Sequence, residues 1–158
     1  MAFTSRSSLR DTLTKLLLYD MVITEDALVK CLVELKVLLE LFIQDVVVSF
    51  SECCLITDSL LRRLFWRDDT SCLVPHLHRF SFCPLFQFGA NTFAKFVDSR
   101  LGKASNGPFT IQAFYAEDNF FDDSTLAYMT ALHAEGRLRW SLQDREILRQ
   151  KLADIHLF

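Results

Sequence analysis

The sequence predicts an α/β repeat fold, a stack of strand-helix units with parallel strands along one side and helices along the other. Three observations predict it. A six-residue pattern, L-x-x-L-x-L, recurs along the chain. Most copies are followed by a helix start signal and an apolar stripe at helical spacing. Strands and helices therefore alternate, the order that builds a parallel sheet with right-handed crossovers. The 158 residues make one domain's worth of chain. A hydrophobic content of 51% supplies a packed core and excludes a mainly disordered chain.

The first copy is Leu13-Thr-Lys-Leu16-Leu-Leu18, whose alternating apolar positions suit a short strand with one face buried. A helix follows, with Thr24 as N-cap, Glu25 and Asp26 in its first turn, and Leu28, Cys31, Leu32 and Leu35 as its stripe. The second copy is Leu38-Leu-Glu-Leu41-Phe-Ile43. Its helix opens at Ile56-Thr57-Asp58-Ser59 and turns Leu60, Leu61, Leu64 and Phe65 inward. The third copy, Leu77-His-Arg-Phe80-Ser-Phe82, precedes a helix opening at Gly89-Ala90-Asn91 and carrying Phe93, Phe96, Val97 and Leu101. A fainter fourth copy is Ile111-Gln-Ala-Phe114-Tyr-Ala116. Phe121-Asp122-Asp123-Ser124 then opens a helix carrying Leu126, Met129 and Leu132. The fifth copy is truncated, Leu138-Arg-Trp140-Ser-Leu142. Ser141 and Asp144 have the S-x-x-D form of a capping box ahead of Leu148, Leu152 and Ile155.

Strand starts at 13, 38, 77, 111 and 138 give spacings of 25, 39, 34 and 27. Two fall within the roughly 20–29 residues of leucine-rich repeats. The longer two imply insertions, placed at 45–55, 66–75 and 102–108. The expected architecture is a short, irregular leucine-rich-repeat solenoid of about five units over 13–158, behind an N-terminal extension, 1–12. Its strands line a concave side and its helices a convex one.

Charge and targeting narrow the partners. With 17 basic and 20 acidic residues the net charge is −3, which argues against nucleic acid. The most apolar stretch, 31–50, is interrupted by Glu34, Lys36, Glu40 and Asp45, so no membrane span is expected. The opening MAFTSRSSLR lacks the apolar run of a secretory signal, and Ala2 excludes an N-myristoyl glycine. Cysteines at 31, 53, 54, 72 and 83 are odd in number and scattered. That usage fits reduced packing thiols in a cytoplasmic or nuclear protein.

Candidate chemistry is sparse. Cys72, His76, His78 and Cys83 lie within twelve residues, but their spacing departs from that of structural zinc sites. The acidic run Glu117-Asp118-Asn119-Phe-Phe-Asp122-Asp123 lacks the glycine and the late acid of a calcium loop, and Asp122 reads as a helix cap. Cys53-Cys54 is not a C-x-x-C pair and has Glu52 beside it. Arg62-Arg63 reads as a solvated helix face. With four glycines and no phosphate-binding or nucleophile motif, neither catalysis nor a cofactor is expected.

Two segments, ITDSLLRRLFWRDDTSCLVPHLHRFSF (56–82) and FGANTFAKFVDSRL (88–101), resemble the repeat region of fungal F-box/leucine-rich-repeat proteins. The likeness runs over roughly 13–140. It implies a non-catalytic module similar to the substrate-recognition half of a ubiquitin-ligase adaptor. No segment ahead of Leu13 reads as an F-box, so the docking half is not implied. Two other readings stand beside it, a truncated repeat fragment without a binding role of its own and a small α/β enzyme.

Strand phase then gives the candidate partner-binding residues on the concave face. They are Lys15, Leu17 and Tyr19, then Glu40, Phe42 and Gln44, then Arg79, Ser81 and Cys83. Phe42 is expected as an exposed aromatic anchor. In the fourth strand two phases stay open, with Ile111, Ala113 and Tyr115 buried or with Phe114 and Ala116 buried. The 141–158 helix carries Asp144, Arg145, Glu146, Arg149 and Lys151 and reads as a C-terminal cap. No such cap precedes Leu13, and LELFIQDVVVSF (39–50) is rich in β-branched and aromatic residues. Self-association through an uncapped N-terminal edge is therefore expected.

Overall fold

The computed structural model describes residues 9–19, 21–48, 51–67, 72–83, 89–103, 107–115 and 121–144. A short 3-10 turn, Leu9–Asp11, leads into strand β1 (Lys15–Leu18) and helix α1 (Glu25–Glu34). Strand β2 (Glu40–Gln44) is followed by two short strands, β3 (Val46–Val48) and β4 (Ser51–Cys53), and by α2 (Asp58–Arg63). Then come β5 (Arg79–Cys83), α3 (Ala90–Arg100), β6 (Phe109–Tyr115), α4 (Asp123–Ala134) and β7 (Leu138–Asp144). Five strands form one sheet in the order β1-β2-β5-β6-β7, every neighbouring pair parallel. The chain is α/β, with strands laid down across the sheet in the order they occur. Among the described residues no helix is long and apolar enough to cross a membrane.

One face of that sheet holds the core. Leu18, Leu41, Ile43, Phe80, Phe82, Phe109, Ile111, Ala113 and Leu138 alternate inward along their strands. The four helices of the described residues meet them in the same cluster, through Leu28 and Leu32, Leu60 and Leu61, Phe93 and Phe96, and Met129 and Leu132. Phe80, Phe82, Phe93, Phe96, Phe109 and Phe121 lie in this cluster. Phe80 stacks on Phe82 with ring centroids 5.1 Å apart, and Phe96 meets both Phe80 and Phe109 edge-on. The first leucine of each strong pattern copy lies ahead of its strand and packs in the same cluster, as Leu13, Leu38 and Leu77 do.

The caps fall where short polar side chains precede the helical stripes. Thr24 and Thr57 accept from the backbone N–H three residues on, as does Asp122. Polar contacts then tie each helix to the next. Glu25 accepts from Thr57 Oγ1 at 2.7 Å and Ser59 Oγ at 2.6 Å, joining the starts of α1 and α2. Arg63 adds ion pairs to Glu25 and Asp26, so the Arg62-Arg63 pair is half engaged with the neighbouring helix. Asp58 accepts from the Gly89 N–H ahead of α3. Tyr128 of α4 donates to Asp98 of α3, and burial followed by that bond pushes its hydroxyl pKa up.

Arg100, the last residue of α3, is 1% exposed. It donates from Nε and Nη2 to the Leu64 carbonyl at 3.0 and 2.5 Å, from Nη2 to Leu73 at 3.0 Å, and from Nη1 to Val74 at 2.9 Å. Burial brings its pKa down to about 10, so the guanidinium stays charged at neutral pH. Val74, a β-branched residue ahead of Pro75, has φ 43°, a left-handed conformation such residues rarely take. Arg100 therefore closes the C-terminal end of α2 and holds a strained turn in place. Asp45 does similar work at the end of β2, its Oδ1 accepting from Leu55 and Ile56 N–H.

Two sequence expectations are corrected. Residues 45–55 are not simply a loop, because Val46–Val48 and Ser51–Cys53 pair as an antiparallel two-stranded sheet. Ser141 does not cap a helix, because 141–144 continue β7. Leu138, Trp140 and Leu142 alternate against a seven-residue β6, and pairing runs from Phe109–Leu138 to Tyr115–Asp144. That continuous partner edge outweighs a four-residue capping pattern. The helix expected beyond it, and the N-terminal 1–8, lie outside the described residues.

Candidate functional site

The sheet's second face carries no helix from the described residues. Its side chains alternate with the core positions and fall into three rows running across the strands. The first row is Lys15, Glu40, Arg79, Thr110 and Arg139, paired in register from β1 to β7. The second is Leu17, Phe42, Ser81, Gln112 and Ser141. The third lies at the C-terminal ends of the strands, with Gln44 beside Cys83 and Phe114 beside Gln143, and Tyr19 packed alongside. All nine residues named from strand phase point to this face, and β6 adds Thr110, Gln112 and Phe114.

The rows differ in burial, and that redraws the site. Phe42 is 6% exposed, meeting Phe114 edge-on at 6.1 Å, with Cys83 and Tyr19 in the same small cluster. The expected exposed anchor is a packing residue, because Phe114 lies two strands away at a height where the rings meet. Gln44, Ser81 and Cys83 are buried as well. Gln44 Oε1 has no hydrogen-bond partner among the described residues. Leu17, by contrast, is 39% exposed, and Lys15, Arg79 and Arg139 are exposed. The open part of the face is thus the first row with Leu17, Gln112 and Ser141.

Electrostatics in that row are uneven. Glu40 lies between Lys15 at 3.6 Å and Arg79 at 3.4 Å. Arg139, two strands beyond Arg79, has no ion pair among the described residues. Three cations against one carboxylate leave the row at +2 on a chain whose net charge is −3.

The candidate metal ligands serve other purposes. His78 Nδ1 lies 2.8 Å from the Leu39 carbonyl, and Cys72 is buried with Sγ 3.9 Å from the Phe65 carbonyl. Cys83 sits on the helix-free face, away from both. Among the described residues no three His, Cys, Asp or Glu side chains form a group that could hold a metal. Burial raises the Cys31 thiol pKa, which keeps it protonated rather than nucleophilic. The acidic run at 117–120 lies outside the described residues.

Sequence reasoning missed Thr110, Gln112, Arg139 and Ser141 on the open face. The signal was available for the last two: Leu138, Trp140 and Leu142 alternate, so the residues between them face the other way. Arg100 was also missed, although it falls seven residues after Phe93 on the same helical stripe. No protein-family model, curated protein or solved structure matches this chain.

Proposed function

We propose that this chain is a non-catalytic recognition module, a short leucine-rich-repeat solenoid that takes a protein partner on the helix-free face of its sheet. The observation that carries the reading is the strand order. Five parallel strands follow one another in chain order while four helices bury their stripes against one face. A doubly wound sheet reverses its strand order and covers both faces. Stacking in one direction leaves an extended surface of strand side chains instead, the kind of surface repeat proteins use for binding. The resemblance to the substrate-binding repeats of F-box proteins agrees with that surface. The odd, scattered cysteine usage agrees with a reducing compartment, cytoplasm or nucleus.

Selection of peptide binders from a displayed random dodecamer library against the full chain tests the reading. Binders should lose affinity for Arg79→Glu/Arg139→Glu on the sheet face and keep it for Arg62→Glu/Lys95→Glu on the helices. Binders that follow the helix substitutions, or a selection that enriches nothing, would refute it.

A further inference from the structure

The uneven charge of the open row says what kind of partner segment it fits. We infer that the helix-free face recognises an extended peptide segment through one carboxylate held between Arg79 and Arg139, with an apolar side chain four or five residues away resting on Leu17. This inference rests on the recognition reading above and names the partner's chemistry.

The carboxylate position follows from the register. Arg79, Thr110 and Arg139 are consecutive partners on β5, β6 and β7, so the two arginines flank a short side chain. Neighbouring strands lie about 4.8 Å apart, which puts the two arginine backbones roughly 10 Å from each other. Guanidinium groups converging from both sides over Thr110 can each fork onto a carboxylate. Arg79 has Glu40 3.4 Å away on its far side, while Arg139 has no ion pair among the described residues. An incoming carboxylate therefore supplies the counter-charge the row lacks. Among the described residues Thr110 Oγ1 makes one weak contact, donating to the Pro108 carbonyl at 3.5 Å, and its proton can turn from there to the carboxylate.

The spacing follows from the apolar end of the same face. Leu17 is the one exposed large apolar side chain described on this face, and it sits on β1, three strands from β6. Three strand spacings are roughly 14 Å, or about four to five residues of extended chain. Gln112 and Ser141 lie beside the carboxylate position and offer amide and hydroxyl groups to the peptide backbone. A polyanion fits less well than a peptide with one acid. Glu40 interrupts the cations of the row, and the chain's net charge repels a long anion.

The test uses the full chain and fluorescein-labelled synthetic peptides from the display selection, read by anisotropy. Enriched peptides should carry Asp or Glu four or five positions from an apolar residue. Changing that acid to its amide should weaken binding at least tenfold, as should Arg139→Gln, with an unchanged melting curve showing the fold intact. Glu40→Gln should tighten binding, because it removes the anion competing for Arg79. Two results would overturn the inference, an acid-to-amide change without effect and a dodecathymidylate probe bound more tightly than the peptides through the same arginines. Gln112→Trp, which fills the middle of the face, separates the two levels of the argument. If acid-independent peptides are blocked by it, recognition on this face stands and the carboxylate inference falls. If they bind undiminished, both fall.

Discussion

Replacing Arg100 with methionine removes every hydrogen bond this side chain makes while keeping an unbranched apolar stem in its place. Two routes give the magnitude. Counting what is orphaned, the Leu64 carbonyl loses both of its bonds from Arg100 and Leu73 keeps only a 3.6 Å thiol contact. Val74 retains the Leu77 N–H at 3.0 Å. A buried polar group left unsatisfied costs about 1–3 kcal/mol, so one full and one partial orphan come to about 3 kcal/mol. Counting what is lost, four hydrogen bonds from a charged group are worth at least about 6 kcal/mol. Against them stands burial of the charge, which lowers the guanidinium pKa and cancels part of that gain. The orphan count sets the expectation, Arg100→Met less stable by about 3 kcal/mol, and the gross loss of four bonds lies above it. Urea unfolding followed by circular dichroism should show the midpoint falling by about 1.5 M at an m-value near 2 kcal/mol/M. Amide exchange should rise first around 64–67 and 72–74, where the strained Val74 turn loses its hold. A variant within about 0.5 kcal/mol of wild type would refute the reasoning.

Three further outcomes follow from the structure. Phe42→Ala should cost about 3 kcal/mol in the same unfolding assay, because the ring is packed against Phe114; a neutral substitution would mean the ring is free. Below pH 3.8, the ordinary Asp value, the start of α4 should fray as the cap protonates. Thr125, through its side chain and N–H, and then the Ser124 hydroxyl hold the Asp122 carboxyl below its ordinary pKa. The capping contribution is thus present above pH 3.8 and lost as pH falls through the lower folded value. Carboxyl chemical shifts of Asp122 against Thr125 exchange would check this, and an ordinary Asp122 titration would contradict it. At tens of micromolar the chain should self-associate in size-exclusion chromatography with light scattering. Leu17, Met21, Val22 and Val33 are the exposed large apolar side chains, all in the first unit, where β1 has an unpaired outer edge among the described residues. Leu17→Lys should shift the chain toward monomer, and a clean wild-type monomer would contradict the edge argument.

What the sequence made legible was whatever one short period could encode. Leu16 and Leu18, Leu41 and Ile43, and Phe80 and Phe82 face the core because alternation within a parallel strand leaves no other choice. Thr24, Thr57 and Asp122 read as caps because a short oxygen-bearing side chain ahead of an apolar stripe has a local use. The fourth strand was ambiguous because Ile111, Ala113, Phe114 and Tyr115 are all apolar. Only long-range packing separates them, with Ile111 and Ala113 in the main cluster and Phe114 against Phe42 on the other face. Long-range partners decide the rest. Nothing near Phe42 announces that Phe114 will lie beside it, so an outward phenylalanine reads as an anchor. Arg100 falls on the inward stripe of Phe93, but nothing near it announces the carbonyls of residues 64, 73 and 74 that satisfy its charge. The antiparallel pair of Val46–Val48 with Ser51–Cys53 had β-branched residues as a cue, but its strands are only three residues each.

The most direct test of the central claim is a backbone amide chemical-shift map of the full chain, titrated with the tightest peptide from the display selection. Shifts concentrated at Lys15, Leu17, Glu40, Arg79, Thr110, Gln112, Arg139 and Ser141, with α1 to α4 unmoved, are the predicted result. Shifts concentrated on the exposed helix positions Lys30, Arg62, Lys95 and Thr130, with the strand rows silent, would contradict it.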